Sequence, residues 1–70
     1  MVDIEKKFGN KLRSLRKQKD ISQEELAFKS GLHRTYISDV ERGSRNISLV
    51  NIKKIADALK ITISELTSDL

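Results

Sequence analysis

Apolar residues recur at helical spacing along most of the chain, and glycines or short polar clusters interrupt them. The first stripe has the spacing i, i+4, i+8 and i+11, which predicts an amphipathic helix over residues 3–18. Its members are Ile4, Phe8, Leu12 and Leu15.

A second helix is predicted to begin after Ser22, because Ser22 and Glu25 have the spacing of a capping box. Leu26 and Ala27 face inward in this helix. We expect it to end near Gly31, since a glycine readily adopts the left-handed conformation that follows a helix.

Three shorter helices follow. Helix 3 is predicted over residues 34–42 with His33 near its N-cap, and Ser48 is expected to cap helix 4. Thr62 and Glu65 form a second capping box that opens a short helix 5. The inward positions are Tyr36, Ile37 and Val40 in helix 3, Ile52, Ile55, Ala56 and Leu59 in helix 4, and Leu66 in helix 5. With no strand or hairpin pattern, the chain is predicted to be all-α, one compact five-helix domain over residues 1–70.

Composition narrows the possible functions. The 70 residues contain no cysteine and one histidine, which excludes disulfides and leaves no protein zinc site, so we expect no metal and no cofactor. No apolar run could cross a membrane and no signal peptide is present, which favours a cytoplasmic protein. The chain is too short to enclose a substrate pocket and lacks a nucleophile–base grouping, so an enzyme is not expected.

Positive charge is concentrated in the first half. The net charge is +4, and seven basic residues lie between Lys6 and Lys19 without an acidic one. Such a concentration favours a polyanionic partner, while a helix face kept soluble by lysines is the alternative.

The spacing across helices 2 and 3 indicates function. Counted from Gln23 as position 1, Ala27 stands at 5, Gly31 at 9, Ile37 at 15 and Val40 at 18. A small residue suits the close crossing of two helices, and a glycine suits the turn between them. This pattern predicts a helix-turn-helix over about residues 22–43, with a plain αα-hairpin as the alternative.

The run SQEELAFKSGLHRTYISDVERG, followed by IADALKI, resembles the Cro/C1-type (lambda-repressor-like) helix-turn-helix family over residues 6–67. The segment RTYISDVERGSRNIS is similar to the controller proteins of restriction–modification systems. This resemblance implies a homodimeric transcription regulator that binds double-stranded DNA at a pseudo-palindromic operator, with RNA polymerase as a further partner. A phage-type repressor or an antitoxin of the same fold, or a protein-interaction module, are the alternatives, and activation or repression stays open.

The resemblance places helix 3 in the major groove of DNA. Arg34, Thr35 and Ser38 would then face base edges, Arg34 through a bidentate contact with guanine. A phosphate contact for Arg34 and a spacer role for Thr35 are the alternatives.

DNA-backbone contacts are expected next to this helix. They are Ser22, Gln23, Tyr36, Arg42, Arg45 and Asn46. Gln23 lies at the start of helix 2, where free N–H groups attract phosphate. As alternatives, Ser22 would only cap helix 2, Tyr36 would pack against helix 2, and Arg45 would enter the minor groove of the DNA. Asp39 either accepts from cytosine or pairs with Arg42.

The family resemblance also implies a structural ion pair between Arg16 and Glu41. Solvent-exposed, it would contribute about 0–1 kcal/mol. Lys6, Lys7, Lys11 and Lys17 are expected to act as a long-range field rather than as contacts.

A dimer interface is expected between helices 4 and 5, where apolar residues exceed what a small core needs. The residues are Ile47, Leu49, Val50, Ile61, Ile63 and Leu66. The alternative is that they complete the core.

Overall fold

The five helices lie where the sequence pattern predicts them, to within one residue at the ends it specifies. The computed structural model describes residues 3–70, so residues 1 and 2 of the predicted domain lie outside it. α1 spans Ile4–Gln18, α2 Gln23–Ser30, α3 Arg34–Glu41, α4 Leu49–Leu59 and α5 Ile63–Thr67. Residues 3–70 contain no strand, and the predicted all-α fold class is confirmed. None of the helices in this range is long and apolar enough to cross a membrane.

Hydroxyl side chains cap three of the helices, as predicted. The Ser22 hydroxyl accepts from the backbone N–H of Glu25 at 3.0 Å, and the Ser48 hydroxyl accepts from that of Asn51 at 3.1 Å. Thr62 and Glu65 form a complete, reciprocal capping box at the start of α5. These bonds satisfy helix N–H groups that have no partner within the helix, and they therefore fix where each helix begins.

The predicted capping box at Ser22 is only half formed. The carboxylate of Glu25 pairs instead with Lys29, at 3.2 Å and one turn further along α2. The prediction of a reciprocal bond was wrong because the spacing of Ser22 and Glu25 carries no information about the competing cation at position 29.

Gly31 makes the turn of the helix-turn-helix. Its φ of 74° lies in the left-handed region, where a side chain would be strained. The backbone N–H of Leu32 then donates to the carbonyl oxygen of Ala27 at 3.0 Å, which closes the end of α2. Ala27, 5% exposed, lies in the core as predicted.

The core draws on every helix. Its buried apolar residues are Phe8, Leu12, Leu26, Ala27, Ile37, Val40, Ile55, Ala56, Leu59 and Leu66. In the stripe predicted for the first helix, Phe8 and Leu12 are buried, and Leu15 is partly buried against the core. Ile4, the first residue of α1, is half exposed because no later element covers it fully.

α1 lies against the end of α3 at backbone distance. A Cβ atom built on Gly9 would stand 2.4 Å from the carbonyl oxygen of Val40 and 2.6 Å from that of Glu41. Any larger residue at position 9 would therefore force the two helices apart. This close contact sets the position of α3 relative to the basic helix α1.

Candidate nucleic-acid interface

The first turn of α3 presents polar side chains to solvent. Ile37 and Val40, 0% and 1% exposed, anchor the other side of the helix in the core. Arg34 and Thr35 are exposed, and Ser38 is half-buried one turn after Arg34. We call these three residues, which were predicted to contact bases, the recognition surface. They lie on neighbouring positions of one helix face, so a single groove could receive all three.

Asp39 gathers the two arginines that follow the recognition surface. Its carboxylate forms ion pairs with Arg42 and, at 3.2 Å, with Arg45. Arg42 also donates to the Ser38 hydroxyl at 3.1 Å. The hydrogen bond from Arg45 and the neighbouring charge of Arg42 hold the pKa of the Asp39 carboxyl below its ordinary value. The structure shows the pair between Asp39 and Arg42 that was one of the two interpretations of Asp39.

Tyr36 links α3 to α4 and to the loop between them. The amide of Asn51 donates to the Tyr36 hydroxyl at 3.0 Å, and the Arg45 guanidinium lies 4.8 Å from the centre of the ring. This stacking of a cation on an aromatic ring orders the Arg45 side chain. Asp39 and Tyr36 together therefore hold Arg45 in place before any partner arrives.

Arg16 and Glu41 connect α1 to the end of α3. Arg16 Nε donates to Glu41 Oε2 at 2.7 Å, Nη2 donates to Oε1 at 3.1 Å, and Nη1 donates to the carbonyl oxygen of Ile21 at 2.9 Å. The two hydrogen bonds from Arg16 to the two carboxylate oxygens of Glu41 have the bidentate geometry of a strong ion pair. They raise the pKa of the Arg16 guanidinium above its ordinary value.

The pair is buried, which corrects the expectation that it is solvent-exposed. Arg16 is 9% exposed and Glu41 is 7% exposed, because α1 and α3 meet closely at Gly9. Removing one partner of a buried pair leaves an uncompensated charge, which costs about 3–5 kcal/mol rather than 0–1 kcal/mol.

Gln23 is fastened to this pair. Its side-chain Nε2 donates to Glu41 Oε1 at 3.0 Å, so three helices meet at one carboxylate. One amide proton and the amide oxygen of Gln23 remain available at the start of α2, where the backbone N–H groups also point outward. Ser22 keeps a hydroxyl proton to donate, since its oxygen accepts the capping bond. Asn46 is exposed in the loop between α3 and α4.

Two adjacent apolar side chains project from the first turn of α4. Leu49 is 73% exposed and Val50 is 64% exposed. We call these two residues the apolar surface. Ile47, Ile61 and Ile63, also predicted for a dimer interface, are partly buried and pack against the core.

Leu66 does not belong to this surface, and its prediction as an interface residue was wrong. It is 0% exposed, because α5 packs its single inward position into the core. In so short a helix, the sequence pattern does not distinguish an apolar residue that packs in the core from one that contacts a partner.

The sequence interpretation overlooked three features. Gly9 carries the contact between α1 and α3, Asn51 holds the Tyr36 hydroxyl, and Phe28 is 87% exposed on α2. A glycine within an otherwise apolar-striped helix was the available signal for the first, since such a glycine usually has a packing reason. The other two depend on how helices cross, which no spacing rule gives.

The fold is all-α, and the glycine turn at Gly31 leads into α3. One side of α3 is polar and exposed, and the other side is buried in the core through Ile37 and Val40. These features are those of a helix-turn-helix protein. The helix-turn-helix family model HTH_3 matches residues 12–66, and the chain belongs to this Cro/C1-type family of DNA-binding transcription regulators.

Two relatives show which members of the family this chain is similar to. The chain is 56% identical to control protein C.MunI from a Mycoplasma species, over all of this chain and 96% of that protein. It is 57% identical to control protein C.BamHI from Bacillus amyloliquefaciens, over 84% of this chain and 74% of the relative.

A solved structure agrees with them. The restriction-modification controller protein C.AhdI from Aeromonas hydrophila superposes with a TM-score of 0.87 at 60% identity. The match covers 89% of this chain and 94% of that protein. The chain is therefore similar in sequence and fold to restriction–modification controller proteins.

Proposed function

We propose that this chain is a sequence-specific, homodimeric regulator of restriction–modification controller type, which binds a pseudo-palindromic operator in the cytoplasm. The observation that carries the proposal is the exposed recognition surface on a helix whose other side is locked into the core. A rigid helix with free polar side chains at its start is what major-groove readout requires.

Arg34 is the residue we assign to base recognition first. Its guanidinium is exposed and planar, and it matches the O6 and N7 acceptors of guanine in the major groove. Thr35 and Ser38 add one hydroxyl each on the same face, and the Thr35 methyl group suits the methyl group of thymine.

Backbone contacts would hold this helix in register. Gln23 is supported as a phosphate ligand because Glu41 fixes its side chain while leaving one amide proton free. Ser22 supplies a hydroxyl at the same helix start. Tyr36 lies in the first turn of α3, and Arg42, Arg45 and Asn46 follow the end of that helix. Such contacts position the protein and carry no sequence information directly.

A second copy would supply the length of operator that one helix cannot read. The apolar surface is the part of α4 that supports this, because two large apolar side chains face solvent side by side. A two-fold axis there would repeat the recognition helix at a spacing of about 34 Å, one turn of DNA. The charge of +4 per chain would become about +8 per dimer. RNA polymerase, as a further partner, would meet the DNA-bound dimer.

Fluorescence-anisotropy titrations test the proposed function. The duplexes are the region upstream of the chain's own coding sequence and a random sequence of equal length, each measured across a salt series. We expect a steep loss of affinity with salt and at least about a 10³-fold preference for the upstream duplex. No binding to either duplex at about 50 mM salt and micromolar protein would contradict the proposal.

A further inference from the structure

A cleft of about 520 Å³ opens between α1, the start of α2 and the end of α3. Its lining carries four cationic groups and two amides: Lys6, Arg13, Arg16 and Arg42, with Asn10 and Gln23. Lys6, Asn10 and Arg13 have the spacing i, i+4 and i+7, so they share one side of α1. The cleft therefore brings donors from three helices around one space.

Two glycines bring these donors together. Gly9 lets α1 touch the carbonyl groups at the end of α3. Gly43, with a φ of 76°, lets the chain leave α3 directly over Lys6, since a Cβ there would stand 2.6 Å from Lys6 Cγ and 2.8 Å from its Cα. Arg42 is consequently held beside the α1 donors.

The charge of the cleft is not neutralised from within. Glu41 is the one carboxylate among the lining residues, and both its oxygens are taken by Arg16 and Gln23. No acidic side chain among residues 3–70 lies within ion-pair distance of Lys6 or Arg13. Arg42 forms an ion pair with Asp39, which is not part of the lining, and also donates to the Ser38 hydroxyl. Two cations and two amides therefore face an open, positively charged space.

We propose that this cleft binds one phosphate group of the DNA backbone, beside the phosphate held at the start of α2. The proposal rests on the proposed function and extends its backbone contact from α2 to α1. Lys6 supplies a point charge, Arg13 supplies a planar pair of N–H donors, and the amide of Asn10 completes the set of donors to phosphate oxygens. The one free amide proton of Gln23 serves the neighbouring phosphate at the start of α2. Lys6, expected from the sequence to act only as a long-range field, becomes a contact residue.

The cleft favours a DNA phosphate over a free anion for a geometric reason. It is continuous with Gln23 and Arg42, which were both assigned to the backbone independently of the cleft. An elongated polyanion could follow this line, whereas a small ion would use only part of it.

The test compares two double variants that remove equal charge from the same helix. Lys6→Gln with Arg13→Gln removes the cleft cations. Lys7→Gln with Lys11→Gln removes two cations outside it, where Lys11 Nζ instead donates to the Ser68 hydroxyl at 2.8 Å. Glutamine keeps the helix propensity close to that of lysine and arginine, so both variants should fold, which circular dichroism checks.

Both variants are titrated with the upstream and the random duplex across a salt series. The cleft variant should lose tenfold or more in affinity on both duplexes. Its slope of log affinity on log salt should be shallower by about 1.8, because each of two protomers gives up one phosphate contact worth about 0.9. The outer variant should lose less than threefold, with less than half that change in slope.

Equal losses in the two variants would overturn the proposal, because a long-range field does not distinguish the two pairs. The proposed function would then still stand, since the wild-type preference for the upstream duplex measures it separately. A second experiment titrates the wild-type protein with inorganic phosphate. NMR monitors the side-chain amide signals of Asn10 and Gln23 during this titration. Saturable shifts in that titration, combined with equal DNA losses, would assign the cleft to a free anion and overturn the proposal as well.

Discussion

The first turns of α3 and α4 are both exposed, yet they expose opposite chemistry. α3 begins with Arg34 and Thr35, whereas α4 begins with Leu49 and Val50. Both helices are anchored in the core by their later residues, so neither surface is needed to complete the fold. The recognition surface suits a partner made of phosphates and base edges, and the apolar surface suits another apolar surface. The chain thus presents two exposed surfaces of opposite chemistry at the starts of two helices.

The largest expected effect comes from placing a charge on the apolar surface. Leu49→Glu should abolish dimerisation, since it would bury two carboxylates at a two-fold interface. Affinity for a two-half-site operator should then fall by about 10²–10⁴, because the second half-site no longer adds to the first. Sedimentation equilibrium and anisotropy titration measure the two effects.

Phe28→Glu is the matched control, because Phe28 is the more exposed residue, at 87% against 73% for Leu49. Phe28→Glu should leave the protein dimeric by mass, and its operator affinity should stay within about threefold of the wild-type value. If Phe28→Glu dissociates the dimer and Leu49→Glu does not, the interface lies on α2 and our assignment of the apolar surface is wrong.

The helix that carries the recognition surface is joined to α1 by the buried Arg16–Glu41 ion pair, whereas the apolar surface has no such ion pair among the residues described. Glu41→Ala should lower the free energy of unfolding by about 3–5 kcal/mol, since it leaves Arg16 charged and nearly buried. Urea denaturation measures this loss. Arg16→Met combined with Glu41→Leu should recover most of it, because no unpaired charge remains. A loss below about 1 kcal/mol for Glu41→Ala would indicate that the pair behaves as a surface pair.

The two kinds of DNA contact predict different losses. Arg34→Ala should reduce discrimination against a wrong base by about 1–3 kcal/mol, and Gln23→Ala should weaken binding to all sequences alike. Titration of each variant with the upstream and the random duplex separates the two. If both substitutions change the upstream-to-random ratio equally, the division into base and backbone contacts fails.

The smallest expected effect is a pH dependence. Because its pKa is depressed in the folded chain, Asp39 contributes stability that is fully present above its ordinary pKa of about 3.8. That contribution is lost as the pH falls through the lower, folded value. Asp39→Asn should therefore reduce the fall in stability between pH 5 and pH 2, as measured by urea denaturation. An undiminished fall would show that Arg42 and Arg45 do not stabilise the carboxylate.

How much the sequence could predict depended on whether a feature is local. Ser22, Ser48, Thr62 and Gly31 act within a few residues of themselves, so the helix ends followed directly from the pattern. The burial of the Arg16–Glu41 pair did not, because it depends on the approach of α1 and α3 at Gly9.

The candidate sites divide in the same way. The exposure of Arg34 and Thr35 follows from the helical period set by Ile37 and Val40. Leu66 was misplaced, because a core and an interface select the same apolar side chain. The cleft on α1 was not foreseen, since its donors come from three helices that only the fold brings together.

Selection of binding sequences from a pool of random duplexes tests the central claim most directly. A dimer that joins at the apolar surface and reads DNA with α3 predicts enrichment of an inverted repeat. Its half-sites should be centred about 10 base pairs apart, and each should contain a guanine whose replacement is tolerated by Arg34→Ala. Recovery of no motif, or of a single unrepeated half-site, would contradict the account.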